Sequence, residues 1–301
     1  MSASASSPSA RTPAATLAGF GAILLWSLLA LFTAASGTVP PFQLAAMTFL
    51  IGGLCGCATW IARPSRARAL IQPWTVWLLG VGGLFGYHAL YFSALRLAPP
   101  AEAGLINYLW PLLIVLFSAR LPGSAGLRPG HLAGAVLGLA GVAALFAGRG
   151  DLGFAPGAVP GYAASLAAAF VWAGYSVLSA RVGAVPTDAV AGFCLATAAL
   201  SLACHSAFEA TVWPVDAAQW GAVILLGLGP VGAAFYLWDI GCKRGDVRLL
   251  GVTAYAAPVL STLILVAAGY ASPSPALAFA CLLIVAGALA AVRASRAVRQ
   301  A

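Results

Sequence analysis

The chain has 301 residues, of which 62% are hydrophobic and 7% are charged, and its mean hydropathy is +0.97. This composition excludes a soluble globular domain and indicates a polytopic membrane protein. The formal net charge is +8, but the basic residues stand at the ends of apolar segments and not on one surface, so we expect no nucleic-acid partner.

Ten apolar segments follow one another, separated by short loops rich in Pro, Gly and Arg. We predict helices at 16–36, 42–61, 74–98, 101–119, 130–147, 160–181, 188–207, 218–242, 249–269 and 275–293. Each is close to the roughly 20 residues that a helix needs to cross a bilayer. Residues 1–15 are polar and rich in Ser and Ala, and 294–301 are basic. We predict a disordered tail at 1–15 and a basic cytoplasmic tail at 294–301.

The basic residues are distributed unevenly between alternate loops. Thirteen of the 15 Lys and Arg residues fall on the side that holds both termini, and only Arg96 and Arg149 fall on the other. Because loops rich in Lys and Arg remain in the cytoplasm, we predict that both termini are cytoplasmic. The six cysteines include no Cys-x-x-Cys pair, so we expect neither a metal ion nor a cofactor.

The two halves of the chain resemble each other at a constant offset of 147 residues, which aligns 104–112 with 251–259. Five crossings per half is an odd number, so the second half would be inserted upside down relative to the first. Inverted repeats are typical of transporters, with the substrate site near the midplane. We therefore predict one five-helix repeat at 16–148 and a second at 158–293.

Glycines and prolines punctuate the apolar segments. Glycines recur about one turn apart at Gly52 and Gly56, Gly82 and Gly86, Gly134 and Gly138, and Gly229 and Gly232. We expect these pairs to let helices approach closely. Pro111 and Pro258 lie in mid-segment, where proline removes a backbone hydrogen bond, so we predict a kink at each. The freed carbonyls are tolerated only where they face protein or a wet cavity.

The stretch 107–111, Asn-Tyr-Leu-Trp-Pro, places an amide and two aromatic rings near the middle of the fourth segment. Lipid-facing Trp and Tyr collect at the membrane interfaces, so a mid-depth cluster indicates a polar cavity inside the bundle. Other segments also carry aromatic or polar side chains near their centres. The predicted substrate-contacting set is Trp26, Tyr87, His88, Tyr91, Asn107, Tyr108, Trp110, Trp172, Ser176 and Tyr255. Such a cavity suits an aromatic side chain, although core packing also explains each ring taken singly.

Two of these residues allow more than one interpretation. Asn107 is suited to bind an amino or a carboxylate group of a substrate, or to join two helices. His88 is the one ionisable side chain near mid-depth, and it suits proton coupling, carboxylate contact or a neutral bond between helices. Facilitated diffusion and proton exchange both fit the sequence. An enzyme is not expected, because no carboxylate is nearby in sequence to orient His88 as a base.

The remaining charges are predicted to lie away from the site. Asp239 precedes Lys243 by one turn, which favours a local ion pair that closes one end of the eighth segment. Glu102, close in sequence to Arg96, is predicted to be a solvated loop charge. Because no carboxylate or arginine pair occupies the centre of a segment, a net-neutral zwitterion suits this interior best.

Ten segments with mid-segment prolines in the fourth and ninth resemble the drug/metabolite transporter superfamily of the EamA type over 16–293. Within it, 102–111 is similar to the corresponding stretch of bacterial aromatic amino acid exporters. The resemblance implies an all-α membrane protein with ten transmembrane helices in a 5+5 inverted repeat. It implies export of aromatic or neutral amino acids across the inner membrane by alternating access, with the substrate and the bilayer as partners. A broader exporter of neutral amino acids or small metabolites is the alternative, and no oligomeric state is indicated.

Overall fold

The computed structural model describes residues 12–121, 127–148, 155–269 and 272–299, and these residues form helices and turns without a β-strand. The helical segments are α1 Pro13–Ala35, α2 Pro41–Ala62, α3 Trp74–Leu97, α4 Glu102–Ser118, α5 Pro129–Ala147, α6 Pro156–Val182, α7 Ala189–Phe208, α8 Ala217–Arg244, α9 Val247–Ala267 and α10 Pro275–Ser295. Among these described segments, nine are long and apolar enough to cross a bilayer, and α4 is shorter. The ten predicted helical positions are therefore confirmed to within a few residues, apart from the far end of α10.

The two predicted tails differ from the structure at their inner ends. The first helix begins at Pro13, where Thr12 caps it by accepting a hydrogen bond from the backbone N–H of Ala15, so the tail predicted at 1–15 was too long. Residues 1–11 lie outside the described residues. The last helix continues through Arg299, so most of the predicted tail at 294–301 is helical. Proline at the first position favours a helix start, which explains the first boundary.

The helices pack in pairs that join the two halves of the chain. Contacts between the halves join α5 with α10, α2 with α7, α1 with α8, α3 with α6, and α4 with α9. This set of pairs is unchanged when α1 to α5 are exchanged with α6 to α10 in order. The pair α1–α8 then becomes α6–α3, and the pairs α5–α10, α2–α7 and α4–α9 map onto themselves. The packing thus has the pattern of a two-fold repeat.

Irregular backbone occurs at matching places in the halves. A π-helical turn interrupts α3 at Gly82–Gly86, and another interrupts α8 at Gly229–Ala233, 147 residues further on. Turns of this kind inside helices are rare and are found mostly at functional sites. Of the glycines predicted as packing contacts, Gly82, Gly86 and Gly229 lie in the π turns and approach no other element closely. A Cβ on any of these three would meet no atom closer than 3.6 Å.

The predicted kinks at Pro111 and Pro258 are complete interruptions of the helix. In α4 the helix Pro100–Asn107 ends, and a new one, Trp110–Ser118, begins. In α9 the corresponding helices are Val247–Thr253 and Ala256–Ala267. Each proline therefore sits in a first turn, where its missing N–H costs no helical bond. The carbonyls next to the gaps are satisfied locally, for example by Leu109 N–H to Ile106 O at 3.1 Å.

Other predicted glycine contacts are confirmed. A Cβ on Gly52 would lie 2.8 Å from the Cα of Gly232, so α2 and the π turn of α8 touch through backbone. A Cβ on Gly134 would lie 2.6 Å from the carbonyl oxygen of Gly287, which brings α5 equally close to α10. Close backbone approach of this kind holds helices together where no hydrophobic force acts between them.

Candidate functional site

A cavity of about 610 Å³ lies between the two halves of the bundle. It is lined by Trp26, Leu29, Ala30, Tyr87, His88, Tyr91, Leu95, Pro100, Asn107, Tyr108, Trp110, Phe146, Trp172, Pro230, Val231, Phe235, Ala257, Pro258, Ser261, Thr262 and Leu265. These residues run from the middle of the helices to the end of the bundle that contains Leu97 and Ala267. None of the residues that line it is Asp, Glu, Lys or Arg.

Three indoles meet at the inner end of the cavity. Trp26 and Trp110 have ring centroids 6.4 Å apart and planes at 86°. Trp172 lies at 5.6 Å and 72° from Trp26, and at 6.3 Å and 85° from Trp110. The rings are therefore nearly perpendicular to one another, in the edge-to-face geometry that aromatic pairs prefer. Trp26 is also fixed across the repeats, because its indole N–H donates to Pro230 O in the π turn of α8 at 3.1 Å.

The polar part of the wall comes from α3 and α4. The Asn107 amide Nδ2 donates to Tyr87 Oη at 3.0 Å, while Asn107 Oδ1 is buried and has no hydrogen-bond partner in the part of the chain that the structure describes. His88 Nδ1 lies 2.7 Å from Leu84 O. A carbonyl can only accept, so Nδ1 carries the proton and donates. Tyr91 stacks on Tyr87 with centroids 5.9 Å apart, as their spacing of one turn predicted.

The structure thus brings eight of the ten predicted contact residues together at one cavity. The two others do not line it. Ser176 lies behind the indoles, where its Oγ accepts from Trp238 Nε1 at 3.0 Å and donates to Trp172 O at 2.8 Å. Tyr255 is fully buried and packs against Gly138 of α5. Of the predicted kink prolines, Pro258 lines the cavity and Pro111 is buried outside its lining.

Sequence reasoning missed several lining residues of the second half. Phe235 is the main one: it stacks on Phe49 at 5.4 Å and contacts His88, Trp26 and Trp172. It stands 147 positions after His88, and Ala257 stands 147 after Trp110. The repeat offset was therefore the signal that could have found both positions.

At the end of the bundle away from the cavity, buried charges tie α8 to the loop before α7. The ammonium of Lys243 lies 2.8 Å from Asp239 Oδ1 and donates to Val185 O at 3.0 Å. Thr187 donates to Asp239 Oδ2 at 2.7 Å. The side chains of Lys243 and Asp239 are 4% and 2% exposed, so the predicted local ion pair is confirmed and also joins two elements.

At the cavity end, Glu209 is the centre of another charged cluster. Its carboxylate accepts from the backbone N–H of Phe42 and Gln43 in the first turn of α2, both at 3.1 Å. Arg96 lies 2.7 Å from it, and His205 Nδ1 lies 3.1 Å away. A carboxylate at a helix N-terminus is favoured by the helix dipole. Arg96 of the first half is therefore bound to the second half.

Glu102 corrects another expectation. It was predicted to be a solvated loop charge near Arg96, but its residue is 3% exposed. Arg96, which is close to it in sequence, forms an ion pair with Glu209, 113 residues away. Glu102 lies in the first turn of the helix Pro100–Asn107, where the helix dipole favours a carboxylate.

Comparison with known proteins gives consistent results. The EamA-like transporter family matches the chain twice, at 13–147 and 159–293. The chain is 64% identical over 283 residues to the aromatic amino acid exporter YddG of Ancylobacter novellus, covering 94% of this chain and 98% of the relative. It is 28% and 27% identical to the YddG exporters of Salmonella typhimurium and Escherichia coli, each over 82% of this chain and 86% of the relative. A solved structure with 64% identity superimposes with a TM-score of 0.91 over 95% of this chain and 98% of its own.

Proposed function

This chain belongs to the EamA-like transporter family, and on that premise we propose that it exports aromatic amino acids across the inner membrane of a bacterium. The relatives that share its length are named as exporters of this class and not as enzymes. The observation that carries the proposal is the cavity between the halves, whose walls hold indole, phenol and phenyl rings and no charged side chain. A zwitterion with an aromatic side chain matches that lining in both charge and shape.

The proposed topology has ten crossings, α1 to α10, with the second five inserted opposite to the first and both termini in the cytoplasm. The symmetric packing of helix pairs and the two π turns support the repeat. The distribution of Lys and Arg supports the orientation. The stretch from Pro100 to Ser118 is roughly 28 Å long at 1.5 Å per residue, close to the hydrocarbon thickness of about 30 Å, so α4 is included.

In this orientation the cavity extends toward the periplasm, and the Asp239–Lys243 cluster lies at the cytoplasmic end. We assign the conformation as outward-facing, with the substrate site at the indoles. Alternating access then requires the cytoplasmic end to open while the periplasmic end closes. The proposed contacts are Trp26, Tyr87, His88, Tyr91, Asn107, Tyr108, Trp110 and Trp172. Ser176 and Tyr255 support the wall from behind.

Transport of labelled phenylalanine into proteoliposomes tests the function. Trp110→Ala removes one of the three indoles and should lower phenylalanine transport about tenfold or more, because a buried aromatic contact is lost. Threonine transport should fall much less. Trp213→Ala is the control, since Trp213 is 59% exposed and is not among the residues that line the cavity. Equal losses for threonine and phenylalanine favour the broader neutral amino acid exporter, and no transport by the unmodified protein refutes the proposal.

Topology has its own test. A reporter that is active only in the periplasm, fused after residue 301, should be inactive, and one inserted at residue 149 should be active. The opposite pattern reverses the orientation, and two equal signals contradict the five crossings proposed between residues 149 and 301.

A further inference from the structure

We infer that this cavity recognises its substrate by the ammonium group and the aromatic ring, and that the substrate carboxylate has no dedicated partner. Aromatic monoamines without a carboxylate are then ligands of the same site. The inference rests on the proposed function, because it concerns the same cavity. It specifies which end of an amino acid the protein recognises.

Asn107 provides the first argument. Its amide nitrogen donates to Tyr87 Oη, while its Oδ1 accepts no hydrogen bond from any described residue although Asn107 is only 3% exposed. A buried acceptor without a donor is unfavourable, and native structures contain few of them. An ammonium group supplies up to three N–H donors, whereas a carboxylate supplies none. Asn107 Oδ1 can therefore accept a hydrogen bond from the ammonium group of a substrate. Asn107 Nδ2, the donor that a carboxylate would need, is already bonded to Tyr87 Oη.

His88 also presents a hydrogen-bond acceptor to the cavity. Because its Nδ1 donates to Leu84 O, the neutral ring carries its lone pair on Nε2. The ring is held in place by edge-to-face contacts with Phe49 and Tyr87, at 5.0 and 5.1 Å between centroids. A fixed imidazole in this tautomer adds a second acceptor to the cavity wall.

The indoles provide the third argument. Trp26, Trp110 and Trp172 contact one another edge to face, and all three line the cavity. A cation is attracted to the face of an aromatic ring, so an ammonium group placed against one of these indoles is stabilised. The aromatic side chain of the ligand packs against the remaining rings of the wall.

The substrate carboxylate has no charged partner in the cavity wall. No Lys or Arg lines the cavity; Lys243 is paired with Asp239, and Arg96 with Glu209. The interruption of α4 also has few free donors, because the N–H groups of Tyr108 and Leu109 are used within the helix and Pro111 has none. A carboxylate is therefore left to neutral hydroxyls, indole N–H groups and water, which contribute less than a charged partner.

Equilibrium binding to the purified, full-length protein tests this with three ligands: L-phenylalanine, 2-phenylethylamine, which lacks the carboxylate, and 3-phenylpropionate, which lacks the ammonium group. We expect phenylethylamine to bind within about tenfold of phenylalanine, and phenylpropionate at least about tenfold more weakly. Phenylalanine binding combined with the reverse order of the other two overturns the inference and leaves the proposed function intact. Failure of phenylalanine itself to bind overturns the proposed function, and this inference with it.

Substitution of Asn107 tests whether this residue is the one that recognises the ammonium group. Asn107→Leu removes the acceptor at similar size and should weaken phenylalanine and phenylethylamine about tenfold each, without a change for phenylpropionate. Ser93→Ala is the matched control, because Ser93 bonds only to Ala89 O on α3 and lies outside the lining. Asn107→Asp, which retains the hydrogen bond acceptor and adds a charge, should favour phenylethylamine over phenylalanine. Equal losses for all three ligands in both Asn107 variants show a structural role and overturn the assignment.

Discussion

The indole N–H of Trp238 donates to Ser176 Oγ at 3.0 Å, and this bond joins α8 to α6 directly behind the cavity wall. Trp238 is fully buried and lies nearly parallel to Trp172, with an interplanar angle of 19°. The hydroxyl of Ser176 also donates to Trp172 O. One serine on α6 thus fixes the indole of Trp238 on α8 relative to that of Trp172 in the cavity wall, and both indoles belong to the second half of the chain.

Ser176→Ala should lower the free energy of unfolding by about 1–3 kcal/mol, because it leaves the buried N–H of Trp238 without an acceptor. Denaturation in detergent, followed by tryptophan fluorescence, measures the change. Ser206→Ala is the matched control: Ser206 makes the same kind of bond, to Leu202 O, but is exposed and accepts from no side chain. If both variants lose the same stability, the Trp238 bond has no special importance.

The contact between Gly52 and Gly232 predicts opposite effects for two glycine-to-alanine changes. Gly52→Ala should destabilise the protein by about 1–3 kcal/mol, since its Cβ would lie 2.8 Å from a backbone Cα that cannot rotate away. Gly174→Ala, in the interior of α6 with no atom within 4 Å of the added Cβ, should stabilise it by about 0.5–1 kcal/mol. Thermal unfolding of both variants is the measurement, and a neutral Gly52→Ala would contradict the close approach of these helices.

The charged cluster at Glu209 predicts that substitution of Glu209 lowers the stability of the protein more than substitution of Arg96. Glu209→Gln should destabilise by about 3 kcal/mol, because a 2% exposed carboxylate that neutralises Arg96 and caps α2 is replaced by a neutral amide. Arg96→Gln should cost about 1 kcal/mol or less, since the Arg96 side chain is 46% exposed. Chemical denaturation at low and high salt measures both. A larger loss of stability for Arg96→Gln would show that the ion pair, and not the cap of α2, is the main stabilising interaction of the cluster.

The buried ion pair of Asp239 and Lys243, at the end of the bundle away from the cavity, predicts stability losses that are not additive. Lys243→Met should cost about 3–5 kcal/mol, because Asp239 then keeps only Thr187 as a donor in a buried position. The double variant Asp239→Asn with Lys243→Met should recover part of that loss, because no unpaired charge remains. Unfolding of the single and double variants supplies the comparison, and strictly additive losses would exclude coupling between the two side chains.

The positions of the helices and the existence of a repeat were determined by the sequence alone. Twenty-residue apolar segments bounded by Pro, Gly and Arg are local features, and the bilayer thickness sets their length. The offset of 147 residues that aligned the Asn-Tyr-Leu-Trp-Pro stretch with its counterpart also relates the two π turns. The same reasoning placed eight of the ten predicted contact residues at one cavity, because a mid-helix Trp or Tyr is unusual unless it faces the interior.

Only the tertiary structure decided which face of each helix points into the cavity. Ser176 and Tyr255 are near mid-helix like Trp172 and Trp110, yet they lie behind the wall. In a membrane helix the lipid-facing and the buried faces are both apolar, so the sequence lacks the amphipathic pattern that reports rotation in soluble proteins. The pairing of Arg96 with Glu209 depends in the same way on helix packing, because residues 113 positions apart meet only after the two halves have come together.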